Sequence, residues 1–337
     1  MTIRSIVHTL GVGLCVAALA ACGSGDKKDA KQDGSDQAQP RKYVIGVVAK
    51  SQSNKIFIPT RTGAEDAARD LSKRLGVDVE IRWQTPPTED AEAQARYIEQ
   101  LANECDGIAI SVSNANTLTP IIDEVVSRGV DVVTFDSDAP DSARFAYFGT
   151  DNYEAGRQLM EALAGSMPDG GAVAVLTGSI NAPNLNDRVR GVTDVIDEHD
   201  NLTLQKVYDN PTEDSKRAVE IIEQAQAANP QIKGWAMVGG WALYTDNALD
   251  KIKGKAVVAS LDAMPSQLPY LERGEVAVLL GQKSYDWGYR AVELLVERLD
   301  KGETPADPIV KSDLIPVTPD SVAGYREQLT KWGLDGG

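Results

Sequence analysis

The chain predicts an α/β fold of two lobes, each a parallel β-sheet flanked by helices. Three observations carry this. From Lys42 onward, short apolar runs rich in Val, Ile and aromatic residues alternate with amphipathic stretches of helical period. The rhythm is completed twice, in Tyr43–Phe148 and in Gly171–Gln282, without close sequence repetition. Most of the apolar runs also stop abruptly at polar residues or glycine. Strands separated by helices require right-handed crossovers, which give a parallel sheet covered on both faces.

In the first unit, "YVIGVV" (Tyr43–Val48) reads as a strand because it is short, continuous and β-branched, and a helical pattern follows over Ile58–Leu75. "VDVEIRW" (Val77–Trp83) precedes a helix over Glu89–Asn103, and "GIAISV" precedes another over Leu118–Ser127. "VDVVTF" has no helix directly behind it; the short strand "RFAYFG" (Arg144–Gly149) follows, then the helical "DNYEAGRQLMEALAGSM". The second unit runs through "AVAVLTG", a helix near Asp187–Glu198, "LTLQKVY" and a helix over Glu213–Ala228. It continues with "IKGWAMVG", a short helix, "AVVASLD", a helix over Ser266–Arg273 and "VAVLLGQ". A last helix, Tyr285 to Gly302, comes after both sets are complete. The chain is therefore expected to cross back to the first lobe before the strand-like "PIVKSDLIPV".

Ligands of open parallel sheets bind beyond the carboxyl ends of the strands. Those ends are Lys50–Asn54, Ser111–Asn114, Asp136–Asp138, Thr177–Asn184, Gly239–Trp241, Asp262 and Gln282. Helix N-capping is the competing role, since Ser, Asn and Asp are the preferred caps. It weighs most on Ser113, Asn114 and Asp151. In "GVDVVTFDSDAP", a carboxylate at the tip of a buried strand needs a partner, because an unpaired buried charge is very costly. A metal, a nucleotide sugar held through a metal, or ligand hydroxyls could each serve.

The N-terminus narrows the choice. "MTIRSIVHTLGVGLCVAALAAC" has the shape of a secretory signal over residues 1–21, and Leu19-Ala20-Ala21-Cys22 resembles a bacterial lipobox with Cys22 as the lipidated first mature residue. Residues 22–41 are polar and read as a disordered tether, with a root-mean-square span of roughly 25 Å. Cys15 is expected to leave with the signal, so the globular part keeps Cys105 alone, read as a buried structural thiol without a disulfide. Asp and Glu number 50 against 34 Lys and Arg, which disfavours nucleic-acid binding.

Export argues against a D-x-D metal site for nucleotide sugars, which are cytoplasmic currency. Hydrolysis has little to work with: His199, in the hydrophilic "DEHDN", is the one histidine after the signal, and G-x-S-x-G is absent. A carboxylate-based glycosidase using Asp136 and Asp262 remains a lesser alternative.

The landmarks, taken in order, resemble the type I periplasmic sugar-binding proteins, the ribose- and galactose-binding branch that serves ABC importers. The resemblance runs from Tyr43 to Val317. It rests on "SNKIFIPTRTGAEDAA", "DGIAISVSNANTLTPIIDEVVSRGVDVVTFDSD", "YFGTDNYEAGRQL", "NDRVRGV", "VVASLDA" and "VAVLLGQKSYDWGYRAVELL". It implies two Rossmann-like lobes joined by a three-crossing hinge, with 42–149 plus 283–311 in lobe 1 and 150–282 plus 312–337 in lobe 2. It also implies a ligand between the lobes, held by Asn54, Phe57, Asp136, Arg188, Asp262 and Gln282. Lys50, Ser113, Ser137, Asp138 and Trp241 complete the candidate set, Asp138 as a loop-capping or rim residue. Lys50 is expected to pair with Asp136 or Asp138.

Ser137 departs from the family, which usually has a basic residue there. Gly239-Gly240-Trp241 stands where Asn-Asp is common. Lys50 with "TFDSD" is also similar to autoinducer-2-binding members, although their acid and amide are not evident in "NAPNLNDR". The expected protein is a monomeric, lipid-anchored binder of the periplasm or cell envelope, without cofactor, metal or enzymatic activity. It takes a sugar or polyol and delivers it to an ABC transporter permease; the alternative is a lipoprotein that presents its ligand to a sensor.

Overall fold

The computed structural model describes residues 40–334. The signal segment, Cys22, nearly all of the expected tether and residues 335–337 lie outside the described residues.

Lobe 1 is built on β1 (Lys42–Val48), α1 (Phe57–Leu75), β2 (Asp78–Trp83), α2 (Ala91–Leu101), β3 (Gly107–Ile110), α3 (Ala115–Ser127), β4 (Asp131–Phe135) and β5 (Ala146–Thr150). Lobe 2 follows with α4 (Asn152–Gly165), β6 (Gly171–Thr177), α5 (Pro183–Glu198), β7 (Leu202–Asp209), α6 (Ser215–Ala228) and β8 (Ile232–Met237). A 3₁₀ turn at Trp241–Tyr244 leads to β9 (Val257–Leu261), α7 (Leu268–Glu272) and β10 (Val278–Gly281). The chain ends through α8 (Ser284–Lys301), β11 (Ile309–Ser312), β12 (Ile315–Val317) and α9 (Val322–Lys331).

The two six-stranded sheets have matching orders, β11-β5-β4-β3-β1-β2 and β12-β10-β9-β8-β6-β7. Every pairing is parallel except β12 with β10. The strand-like "PIVKSDLIPV" is thus not one strand. It breaks at Asp313–Leu314 and gives one edge strand to each sheet. Three segments pass between the lobes: Thr150–Asp151, Gln282–Lys283 and this break.

Close helix contacts hold α1 against α8 and α4 against α5. A β-carbon on Gly63 of α1 would lie 2.1 Å from the Tyr285 carbonyl oxygen, and one on Gly288 of α8 would lie 1.8 Å from that of Thr60. Gly156 of α4 and Gly191 of α5 make the same close approach in lobe 2, at 2.0 Å to the Arg188 and 2.1 Å to the Tyr153 carbonyl oxygens. Larger residues would wedge these pairs apart. Cys105 is buried, and desolvation pushes its thiol up to about 12, which suits a packing role.

Candidate functional site

Two strand tips define the site. Asp136 follows β4 with φ +59°, and Asp262 follows β9, the equivalent strand of the other sheet, with φ +71°. Aspartate is among the few residues that enter the left-handed region without prohibitive cost. In each case the backbone N–H is tied to the neighbouring strand, Asp136 to the Phe148 carbonyl at 3.1 Å and Asp262 to that of Leu280 at 2.9 Å. The Tyr147 hydroxyl braces the Asp136 carbonyl at 3.0 Å. Gly149 leaves room for that ring, since a β-carbon there would meet the hydroxyl at 2.2 Å.

Arg188, on the face of α5 turned inward, is 3 % exposed. Its Nε donates to Asn152 Oδ1 at 2.9 Å, Nη1 to the Val238 carbonyl at 3.0 Å and Nη2 to Gln282 Oε1 at 2.8 Å. None of these acceptors is a carboxylate, and two of the five guanidinium N–H groups are left over. Gln282 also accepts from Thr150 Oγ1 at 2.9 Å and donates to Asp262 Oδ1 at 2.7 Å. Thr150 and Gln282 sit at two of the interlobe crossings, so the hinge and the lobe-2 aspartate share one hydrogen-bond chain.

Lys50, at the end of β1, is 3 % exposed. It does not pair with Asp136 or Asp138 as expected. Its Nζ donates to Asn184 Oδ1 at 3.3 Å, and Asn184 Nδ2 reaches Asp136 Oδ1 at 3.4 Å. The amide at the start of α5 therefore stands between cation and carboxylate and joins the lobes. These groups surround a cavity of about 30 Å³. Lobe 1 lines it with Lys50, Asn54, Phe57 and Asp136; lobe 2 and the hinge supply Arg188, Trp241, Asp262 and Gln282.

Beside it lies a wider cleft of about 470 Å³, where Glu89 of lobe 1 and Glu213 of lobe 2 come together. Trp241 Nε1 donates to Glu213 Oε2 at 3.0 Å, while Glu213 Oε1 and Glu89 Oε2 are buried without partners. Burial, then their mutual repulsion, pushes Glu89 up to about 8; burial raises Glu213 as well. Both carboxyls are thereby shifted toward their protonated forms.

Three candidates are not brought to the cavity. Asp138 is consumed by Arg144, whose Nε and Nη2 reach it at 2.5 and 2.6 Å, and by Thr134 Oγ1 at 2.5 Å. The two carboxylates of the D-x-D thus serve different partners. Ser113 is bound through its N–H and hydroxyl to Gln94, which also donates to the Ala49 and Ser111 carbonyls. Ser137 closes a tight turn with its N–H to the Phe135 carbonyl at 2.6 Å, its own carbonyl accepts from the Val112 N–H at 3.0 Å, and its buried hydroxyl has no partner. Asn114 and Asp151 are helix N-caps, accepting from the Thr117 and Glu154 N–H groups.

Asn184, Glu89, Glu213 and Trp287 went unnamed as candidates. Asn184 lay inside a strand-end segment that could have flagged it. The glutamates carried no signal beyond their place at helix starts, and Trp287 reads as core.

The two-lobed architecture with its interlobe cavity is that of a binding protein. The periplasmic binding protein domain family matches residues 45–304, and the chain belongs to it. Among relatives, the xylose/arabinose-binding protein XylF of Sulfolobus acidocaldarius is 22% identical over 256 residues, 70% of this chain and 61% of that protein. The D-ribose/D-allose-binding protein of Pseudomonas aeruginosa is 26% identical over 166 residues, 47% of this chain and 51% of that one. The chain thus spans under two thirds of either relative's length. A crystal structure of an ABC transporter solute-binding protein from Burkholderia graminis, in complex with D-arabinose, superposes with a TM-score of 0.78. It is 27% identical, and the match covers 85% of this chain and 99% of that one.

Proposed function

We propose that this chain is an extracytoplasmic solute-binding protein that captures an uncharged sugar, with a pentose the leading candidate, between its lobes and delivers it to an ABC permease. The observation that carries the reading is the facing pair of strand-tip aspartates, one per lobe, set around one cavity with Arg188 and Gln282. Carboxylates accept hydroxyl hydrogen bonds, the free guanidinium N–H groups donate, and Phe57 and Trp241 offer apolar walls for a ring. Two aspartates balance Lys50 and Arg188, and the glutamate pair is part-neutralised by protonation. Such a site favours a neutral polyol over an ion. The named ligands of the relatives, xylose, arabinose, ribose and allose, are of that class.

A cavity of about 30 Å³ has room for about one water, far less than a pentose. Ligand entry therefore requires the lobes to part and the Lys50–Asn184–Asp136 bridge to open, with closure driven by differential affinity for the closed form. The ligand leaves unaltered, and lipid on Cys22 holds the binder near its permease at high local concentration.

A thermal-shift panel of pentoses, hexoses, polyols, nucleosides and autoinducer-2, with calcium and manganese run separately, tests this. A micromolar sugar at millimolar concentration adds roughly 4 kcal/mol of stability. A flat sugar panel refutes the reading, and a manganese shift in its place restores the metal role of "DSD".

A further inference from the structure

We propose that Trp287 is a ligand-contact and specificity residue whose indole N–H donates to an oxygen of the bound sugar; this rests on the sugar-binding reading above. Trp287 lies in the first turn of α8, is 1 % exposed and lines the interlobe cavity beside Phe57, the ring centroids 6.4 Å apart and tilted by 47°. Packing accounts for the ring but not for the nitrogen. A buried N–H without a partner costs about 1–3 kcal/mol, which a phenylalanine or leucine would avoid.

Two other buried indoles are satisfied. Trp235 Nε1 donates to Gln226 Oε1 at 2.9 Å, and Trp241, also at the cavity, donates to Glu213. Trp287 Nε1 is buried with no acceptor.

Most acceptors around the cavity are engaged elsewhere; the exception, Glu213 Oε1, has no partner and makes no hydrogen bond with Trp287. Ser111 donates to Asp136 Oδ2 at 2.6 Å and Asn184 to Oδ1. Asp262 takes the Gly240 N–H at 3.0 Å and Gln282, and Gln282 Oε1 takes Thr150 and Arg188. The acceptor that completes Trp287 is therefore one the ligand brings. An indole N–H only donates, so the group opposite is a hydroxyl or ring oxygen, and a sugar with an ammonium or a bare carbon there is disfavoured. Gly288, the next residue, presses α8 against α1, so the indole is held on a helix with little freedom to turn away.

The test is calorimetric titration of the wild type, W287F and a variant with 3-benzothienylalanine at position 287, which replaces the N–H by sulfur in a ring of nearly the same shape. The probes are D-arabinose, D-xylose, D-ribose and D-allose. Both substitutions should weaken the sugar that the wild type binds by about tenfold, the loss of one hydrogen bond. The unliganded melting temperature should stay unchanged or rise, because an unpaired donor has been removed. Undiminished affinity in the benzothienyl variant overturns the proposal and leaves the sugar-binding reading intact. Failure of the wild type to bind any sugar overturns both. If W287F folds poorly, the near-isosteric variant decides alone.

Discussion

The two lobes repeat one strand order and place an aspartate in the left-handed region after the same strand, yet the two carboxylates are held differently. Both oxygens of Asp262 are anchored within lobe 2 and the hinge, by the Gly240 N–H and by Gln282. Asp136 has one firm partner, Ser111, and its other oxygen meets only the long contact from Asn184 of the opposite lobe. An oxygen that gives up a 3.4 Å contact is more available than one that must leave a 2.7 Å bond. Within the proposed site, the difference makes Asp136 the more available acceptor for ligand and Asp262 the one more tied to the hinge.

Paired isosteric substitutions test that division most severely, since asparagine also tolerates the left-handed backbone. D136N should weaken sugar binding by about a hundredfold, near 3 kcal/mol, with little change in the unliganded melting temperature. D262N should lower the melting temperature and weaken binding only by about tenfold. Calorimetry and thermal melts on both proteins check this; equal penalties in the two assays would dissolve the distinction.

The next contrast lies within lobe 1, between Asp136 and its neighbour two residues on. D138A leaves Arg144, whose side chain is 6% exposed, without its carboxylate and should destabilise the fold by about 3 kcal/mol. Sugar affinity, measured on the folded protein, should not move. A loss of affinity with stability preserved would return Asp138 to the site.

A smaller effect comes from the pair that joins the lobes. The folded Glu89 carboxyl titrates at about 8, against 4.5 for the ordinary side chain, so the folded form holds a proton that the unfolded chain releases. Stability should therefore fall as pH rises from about 4.5 to 8 and level off above. Lys50 and Asp136 also face this carboxyl, the lysine opposing the rise and the aspartate adding to it. E89Q should flatten the slope in melts between pH 5 and 9 and be more stable than the wild type at pH 8. An unchanged slope would show that the pair does not carry the proton. The smallest expected change belongs to S137A, which removes a buried hydroxyl without a partner: stability unchanged or raised by about 1 kcal/mol, and no change in sugar affinity.

Much of this was legible in the chain. Asp136, Asp262 and Gln282 could be named because a polar residue closing an apolar run has few places to go in a parallel α/β sheet, and Arg188 because "NDRVRGV" resembles the family's pattern. The rest depends on apposition. Asp138 read as a loop-capping or rim residue of the site, but its main partner, Arg144, could not be named from the chain. Lys50 was expected to neutralise an aspartate, whereas α5 inserts Asn184 between them from the other lobe. Glu89 and Glu213 lie far apart in sequence, and Glu213 raises the proton affinity of the Glu89 carboxyl only when the lobes meet.

Periodicity and strand-end polarity are local properties written in consecutive residues, and they were enough to determine the α/β class, the two sets of strands and the strand tips that line the interlobe cavity. Which carboxylate stays available, which is spent on a neighbour, and which indole lacks a partner are set by distances between segments tens to hundreds of residues apart. A hydrogen bond made or missed over a few tenths of an ångström decides each of them, and only the packed lobes specify distances that fine.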